Sequence, residues 1–271
     1  MLYLCATPIG NLEDITLRVL RVLSEVSAIY CEDTRHSSKL LQHFEINKPL
    51  IPCHEHNEAQ RAVEIANRVL AGESIAYLSD AGMPCISDPG ARIVQTAINM
   101  QVPYTVLPGA TAFTTALAIS GLDSSAFAFF GFLDRSGKQR KNILQKIIDS
   151  EITSIIYESP NRIYATIADI AKFDPARSVC IVREITKIYE ERIEGEAEQL
   201  KNRFEAENIK GECVLLISKK EKQEADKTQI ISRIEELLEQ HSTKKVAEIV
   251  ANEFSINKNE AYKLTLEIKQ D

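Results

Sequence analysis

The chain has 271 residues, 44% of them hydrophobic, and a formal net charge of -7 at pH 7. That length and apolar content suffice for two α/β domains of ordinary size with real cores. The acidic balance excludes a protein that coats nucleic acid by bulk charge, so any RNA contact has to come from a local basic patch. No apolar run approaches the ~18 residues needed to span a bilayer, and the sequence opens directly on a strand, so the expectation is a cytoplasmic protein with no membrane partner.

Short apolar runs alternate with helical patterns from the start: Leu2 to Ala6, a helix from Thr16 to Val26, Ala28 to Cys31, a helix from Ser37 to Phe44, then Leu50 to Cys53. The series continues with a helix from Asn57 to Ala71, Ile75 to Leu78, a helix from Ala91 to Asn99, and Tyr104 to Leu107. Continuous apolar strands joined by helices predict a mainly parallel sheet covered on both faces, with ligands outside the carboxyl ends of its strands. In the helix from Asn57 to Ala71, Ala59, Ala62, Val63, Ala66, Val69 and Leu70 recur at three- and four-residue steps. They form a stripe that packs on the sheet, with Asn57 as cap and Gly72 as stop.

A small-residue helix from Thr111 to Ser120 follows Pro108-Gly109, and a second series then begins. Its strands are Phe127 to Phe130, Ile152 to Tyr157, Ser178 to Arg183, Ile188 to Ile193 and Glu212 to Ser218. Its helices are Lys138 to Ser150, Arg162 to Lys172 and Ala197 to Ala206. Two strands without an intervening helix predict an antiparallel hairpin. The expected organisation is an α/β domain over residues 1 to 110 and a second over 111 to 220. A solvated linker from Lys219 to Lys227 then leads to a small helical module over 228 to 271. That module, with segments Ile230 to Leu238, Lys244 to Phe254 and Lys258 to Ile268 around a Ser255-Ile256-Asn257 turn, reads equally as helix-turn-helix-like, presenting Lys258, Lys263 and Lys269, or as a packing unit.

Residues 79 to 90, Ser-Asp-Ala-Gly-Met-Pro-Cys-Ile-Ser-Asp-Pro-Gly, follow the strand at Ile75 to Leu78. Small, turn-forming residues at a strand end let a ligand approach the backbone closely, although the same composition also makes an ordinary connection. Of the two Ser-Asp pairs, the second, with Asp88, reads as the cap of the next helix. The six cysteines contain no C-x-x-C pair and read as reduced, buried thiols. His54 and His56 flank Glu55 with no third or fourth ligand at a recognisable spacing, so no metal site is expected.

Taken in order, these loops resemble the tetrapyrrole methylase superfamily, and more closely its ribosomal branch, the small-subunit rRNA 2'-O-ribose methyltransferase I family. The likeness rests on Ala6 to Leu12, Cys31 to Arg35, Glu55 to Glu58, Ser79 to Gly90, Pro108 to Ala110, Gly131 to Leu133, Tyr157 to Pro160, Arg183 to Lys187 and Lys210 to Glu212. It implies two α/β domains with S-adenosylmethionine folded into the cleft between them. It further implies a homodimer that methylates the 2'-hydroxyl of a cytidine ribose in the decoding region of 16S rRNA, either as free rRNA or in the 30S subunit. Matched residue by residue, it implies cofactor contacts from Pro8, Ser79, Asp80, Gly82, Met83, Thr111, Ala112, Tyr157, Glu158 and Gly195. Met83 stands where the family has threonine, Asp134 where proline is common, and Asn161 where it has histidine, which removes a histidine from the candidates for an obligatory base.

Methyl transfer to a hydroxyl needs in-line alignment and a group to take the proton. The candidates are Asp33 and Arg35 in the first domain and Glu184 and Lys187 in the second, the last two favoured. A lysine desolvated beside Arg35 would have its pKa lowered enough to act. The same charges read equally as caps and ion pairs at strand ends. Arg135, Lys138, Arg140 and Lys141 form the candidate RNA patch, with a plain exposed helix face as the alternative. The neighbouring phenylalanines Phe129, Phe130 and Phe132 read as core, base stacking being secondary.

Overall fold

Leu2–Cys5 (β1), Ala28–Cys31 (β2) and Ile75–Leu78 (β4) are apolar nearly throughout, and in the computed structural model they are the three inner strands of a five-stranded sheet. The structure describes residues 1–207, 209–221, 227–254 and 256–270. Leu50–Pro52 (β3) and Tyr104–Leu107 (β5) close the edges in the order β3-β2-β4-β1-β5, with every pairing parallel. Leu17–Glu25 (α1) and Thr34–His43 (α2) cover one face, packing Val22, Leu23, Leu40 and Leu41 against Ile29 and Leu78. Glu58–Leu70 (α3) and Ala91–Asn99 (α4) cover the other.

The local chemistry explains most of the ends. Thr16 caps α1 by accepting from the Val19 amide, and Gly72, at φ 96°, turns the chain after α3. Two details differ from expectation. Asn57 precedes α3 but its side chain accepts from the His54 amide instead of capping the helix. The buried stripe of α3 is Ala62, Ile65, Ala66 and Val69, whereas Val63 and Leu70 face outward.

Ala112–Ser120 (α5) leads to a second five-stranded sheet, Phe127–Phe132 (β6), Thr153–Glu158 (β7), Ser178–Arg183 (β8), Glu191–Glu196 (β9) and Cys213–Ile217 (β10), in the order β6-β7-β10-β8-β9. Here only β6 and β7 run parallel; β10 is antiparallel to both β7 and β8, and β8 to β9. A wholly parallel architecture thus stops at the first sheet. The hairpin partner β9 begins three residues later than expected, because residues 184–190 form successive tight turns: Lys187 N–H donates to Glu184 O and Glu190 N–H to Lys187 O, each at 3.0 Å. Lys138–Ile148 (α6), Pro160–Phe173 (α7) and Ala197–Ala206 (α8) pack on one face with the larger core, and α5 on the other.

The chain divides after Lys220. Lys219 and Lys220 belong to the first unit instead of a free linker: the Lys219 ammonium meets Asp123 at 2.7 Å and the Lys220 amide donates to Ser150 O at 2.7 Å. Residues 222–226 of the expected linker, and Ser255 of the expected turn, lie outside the described residues. The second unit consists of Lys227–Leu238 (α9), Thr243–Glu253 (α10) and Lys258–Gln270 (α11) around Ile230, Ile234, Val246, Val250 and Ala261. Lys258 pairs with Glu248 at 3.2 Å and Lys269 donates to Thr243 at 3.3 Å, so two of the three lysines expected to face outward bind α10. Among the described residues no helix is long and apolar enough to cross a membrane.

Candidate active site

The loops at the carboxyl ends of β1 and β4 are tied together. Thr7 and Gly82 exchange backbone hydrogen bonds of 2.9 and 3.0 Å, the Thr7 hydroxyl donates to Ser79 O at 3.2 Å, and the Ser79 hydroxyl donates to Gly82 O at 3.3 Å. Asp80 accepts from the Asp33 amide at 3.0 Å, joining the loop after β2. Ser79 is buried within this lattice. The loop therefore has a fixed shape, including positive φ at two non-glycine residues, Cys85 at 72° and Ser87 at 63°, a concentration of backbone strain found at functional sites.

Beside it lies a cavity of about 400 Å³, within the size range of small-molecule sites. Gly82, Met83, Ser87 and Asp88 supply one wall, Thr111 and Ala112 at the start of α5 another, and Tyr157, Glu158, Ile185 and residues 211–214 the second-sheet side. Six of the ten residues expected at the cofactor line it: Gly82, Met83, Thr111, Ala112, Tyr157 and Glu158. Pro8 is buried beside Ile9, which does line it, and Ser79 and Asp80 shape the loop from behind. Gly195 is a correction. It pairs with Val179 at the opposite end of β8 from Arg183 and packs against Leu200, away from the cavity.

Glu158 is fully buried and satisfied on both oxygens. One accepts from the Ser159 amide at 2.9 Å and meets the Arg162 guanidinium at 3.1 Å; the other accepts from the Thr166 hydroxyl at 2.7 Å, with Arg140 at 3.9 Å. Arg140 is therefore not part of an RNA patch. Its side chain is 10% exposed and binds Thr166 and Asp169 at 3.0 and 2.9 Å. Arg135, Lys138 and Lys141 remain exposed on the same segment.

The expected catalytic charges do not converge. Asp33 caps α2 and pairs with the exposed Arg35 at 2.7 Å, which holds its carboxyl well below the usual range. Lys187 lies beside Glu184 and Glu212, at 2.9 and 3.1 Å, and not beside Arg35. Burial alone would lower its pKa, but the two carboxylates outweigh that and hold it above the ordinary lysine value. That direction is opposite to the one a lysine base requires. Glu184 is lowered by the Glu212 amide and by Lys187, which makes it a weak base too. Neither lines the cavity; both brace the strained turn, Glu184 at φ 51° and Thr186 at 66°, that carries Ile185 into it.

Phe132 and Asp88 are among the lining residues that the sequence reading did not place at the site. Phe132 is 60% exposed and its ring lies 5.4 Å from that of Tyr157, so it is a wall of the site and not core, unlike Phe129, which stacks on Phe113, and Phe130. Asp88 does not cap α4. That place is taken by Glu58, whose carboxylate accepts from the Gly90 and Arg92 amides at 2.9 Å each. Burial, with Glu32 and Asp80 nearby, pushes Asp88 up to about 7.

Two α/β sheets of unlike topology, with a half-open cavity beside the carboxyl ends of the first, define an enzyme-like α/β fold built around a small-molecule site. The chain belongs to the tetrapyrrole (corrin/porphyrin) methylase family, whose pattern it matches over residues 1–201. It is 42% identical to the ribosomal RNA small subunit methyltransferase I of Pasteurella multocida, over 98% of this chain and 97% of that protein. It is 37% identical to the protein of the same name from Synechocystis, over 100% and 99%. Among solved structures it is similar to diphthine synthase, with a TM-score of 0.64 at 15% identity over 81% of this chain and 90% of that one. It is also similar to Thermus thermophilus uroporphyrin-III C-methyltransferase complexed with S-adenosylhomocysteine, with a TM-score of 0.57 at 18% identity over 80% and 96%. Both of these likenesses concern the fold.

Proposed function

We propose that this chain is an S-adenosylmethionine-dependent methyltransferase that modifies the 2'-hydroxyl of a cytidine ribose in the decoding region of 16S rRNA. In this reading it acts in the cytoplasm, as a homodimer, on rRNA or the 30S subunit. The observation that carries it is likeness over nearly the whole chain to proteins named for methylating small-subunit rRNA. The cavity suits the cofactor: apolar surfaces of Ile9, Met83, Phe132 and Tyr157 for an adenine, and the start of α5 and the Gly82 loop, with their backbone polar groups, for the methionine and ribose. Gly82, Met83, Thr111, Ala112, Tyr157 and Glu158 are the cofactor contacts proposed. When bound, the cofactor supplies an activated methyl; the protein supplies alignment, worth up to ~7–11 kcal/mol, and proton removal.

Incubation of the chain with labelled S-adenosylmethionine and, in parallel, 30S subunits, naked rRNA or uroporphyrinogen tests the reading. Label is expected on a ribose of the rRNA. Label on the porphyrinogen, or cofactor binding without turnover, overturns it. The exposed apolar residues Tyr104 and Val106 on edge strand β5 support a self-association surface, which light scattering of the purified chain checks.

For RNA capture, Arg135, Lys138 and Lys141 are the proposed phosphate contacts. Lys138→Glu combined with Lys141→Glu is expected to weaken RNA binding and flatten its salt dependence by about two phosphate contacts. An unchanged salt slope counts against the patch. Arg140→Glu serves as the contrast, since it breaks the Glu158 network and is expected to lower stability.

A further inference from the structure

Strand β8 ends at Arg183, which has unlike neighbours on its two sides. It pairs with Cys213 of β10, which lines the large cavity, and with Glu191 of β9, which lines a second, smaller one of about 240 Å³. The floor of the smaller cavity is apolar: Ile193 and Phe204, both buried, and Ile209. Three cations, Arg183, Arg203 and Lys210, line it together with two carboxylates, Glu191 and Glu207. Each carboxylate engages a guanidinium only through Nε, Glu191 with Arg183 at 2.7 Å and Glu207 with Arg203 at 2.9 Å. One terminal nitrogen of Arg183 donates to Lys210 O at 3.1 Å. The other, both terminal nitrogens of Arg203 and the Lys210 ammonium have no hydrogen-bond partner among the described residues. A guanidinium carries five donors, so these side chains retain most of their capacity to bind an anion.

The 184–190 turn connects the two cavities: Ile185 near its start lines the large one, and Glu191 just after it lines the small one. Its shape is fixed from within and from outside. The Thr186 amide donates to the Glu190 carboxylate at 2.6 Å, and the Asn11 amide, from the loop after β1, donates to the Thr186 hydroxyl at 3.0 Å. On this braced turn Ile188 is 94% exposed and Tyr189 73% exposed. An aromatic ring held out on a rigid turn loses little freedom when a ligand packs on it.

We propose that Tyr189 and the smaller cavity form a docking track for single-stranded RNA beside the nucleotide being methylated, an inference that rests on the rRNA reading above. A base stacks on the Tyr189 ring, and the adjoining phosphate takes the unspent donors of Arg183, Arg203 and Lys210. An exposed ring next to unsatisfied guanidinium and ammonium donors is the combination that a stacked base and its phosphate require. Charge favours the same occupant: the chain carries a net charge of -7, yet cations outnumber carboxylates around this cavity. A second copy of so acidic a chain gains nothing from those donors in particular. The distance also suits a flanking nucleotide, since β10, β8 and β9 are successive neighbours and two strand spacings make about 10 Å.

Binding of the full chain to a fluorescent single-stranded oligoribonucleotide of about 10 residues, measured across a salt series, tests the track. Tyr189→Ala is expected to weaken binding about 5- to 150-fold with the salt slope unchanged, and Tyr189→Phe to keep the wild-type affinity. Lys210→Gln is expected to lower the slope by about 0.7, the share of one phosphate on a single strand. Both side chains are exposed and neither lines the large cavity, so thermal unfolding and S-adenosylhomocysteine affinity should stay at wild-type values in each variant. With 30S subunits as acceptor, both variants should raise KM and leave kcat near wild type. Wild-type affinity in Tyr189→Ala, a wild-type slope in Lys210→Gln, or no binding of the oligonucleotide by the wild type overturns the track. So does a Tyr189→Ala chain that binds RNA normally but changes its oligomeric state by light scattering, which makes the turn a contact between copies. If the oligonucleotide results hold and no methyl reaches 30S subunits or rRNA, the functional reading fails and the track stands.

Discussion

Glu158→Ala is expected to lower the stability of the first unit by about 3–5 kcal/mol, the usual cost of removing one partner from a buried ion pair. The residue sits at the last position of β7 with its carboxylate fully buried, and two guanidiniums and two neutral donors depend on it. Without it, Arg140 keeps Asp169 but is left beside an uncompensated void at 10% exposure, and the Ser159 amide and Thr166 hydroxyl lose their acceptor. Glu158→Gln retains an acceptor oxygen and is expected to cost less, about 1–3 kcal/mol. Urea unfolding at neutral pH separates the cases: the midpoint should fall in the order wild type, glutamine, alanine. Equal midpoints for wild type and alanine would show that the network contributes nothing net. Because Glu158 also lines the cavity, cofactor affinity should drop in both variants.

What was legible in the residues was whatever depends on near neighbours. The apolar runs of β1, β2 and β4 and the Gly72 turn are local, and each was found where its chemistry put it. The misread residues are those whose partners lie far along the chain. Arg140 looked like one of four adjacent surface cations, and only Glu158 and Asp169, from other elements, turn it inward. Asp88 looked like a helix cap, and Glu58 from α3 displaces it. The lysine candidate Lys187, expected to act beside Arg35, meets two carboxylates instead. Phe132 ends an apolar strand and had every local sign of core; the shift in the β6 register after Phe129 re-aims it toward the cavity. Sequence spacing carries the elements, whereas the side chains that touch the ligand are selected by contacts between elements.

Gly211→Ala is expected to damage both stability and ligand binding, because it acts on the turn that shapes the cavity floor. Gly211 has φ 86°, a conformation that costs an L-residue roughly 1–2 kcal/mol. A Cβ there would also sit 2.5 Å from Cγ, Cδ and Oε1 of Glu184. Glu184 cannot simply swing aside, since its carboxylate accepts from the Glu212 amide at 2.9 Å and from the Lys187 ammonium at 2.9 Å. Moving it releases Lys187 and unsettles Ile185, which lines the cavity together with Gly211 and Glu212. Overpacking adds about 1–3 kcal/mol to the backbone cost, so the sum is about 2–5 kcal/mol. Thermal unfolding should show the loss, and calorimetric titration with S-adenosylhomocysteine should show weaker binding at temperatures where the variant is still folded. A control distinguishes strain from collision: Glu184→Ala in the Gly211→Ala background removes the clash but not the φ penalty. That double variant should recover part of the stability, with the remainder set by the backbone. If it recovers nothing, the collision with Glu184 is not what the glycine avoids, and positive φ alone explains its presence.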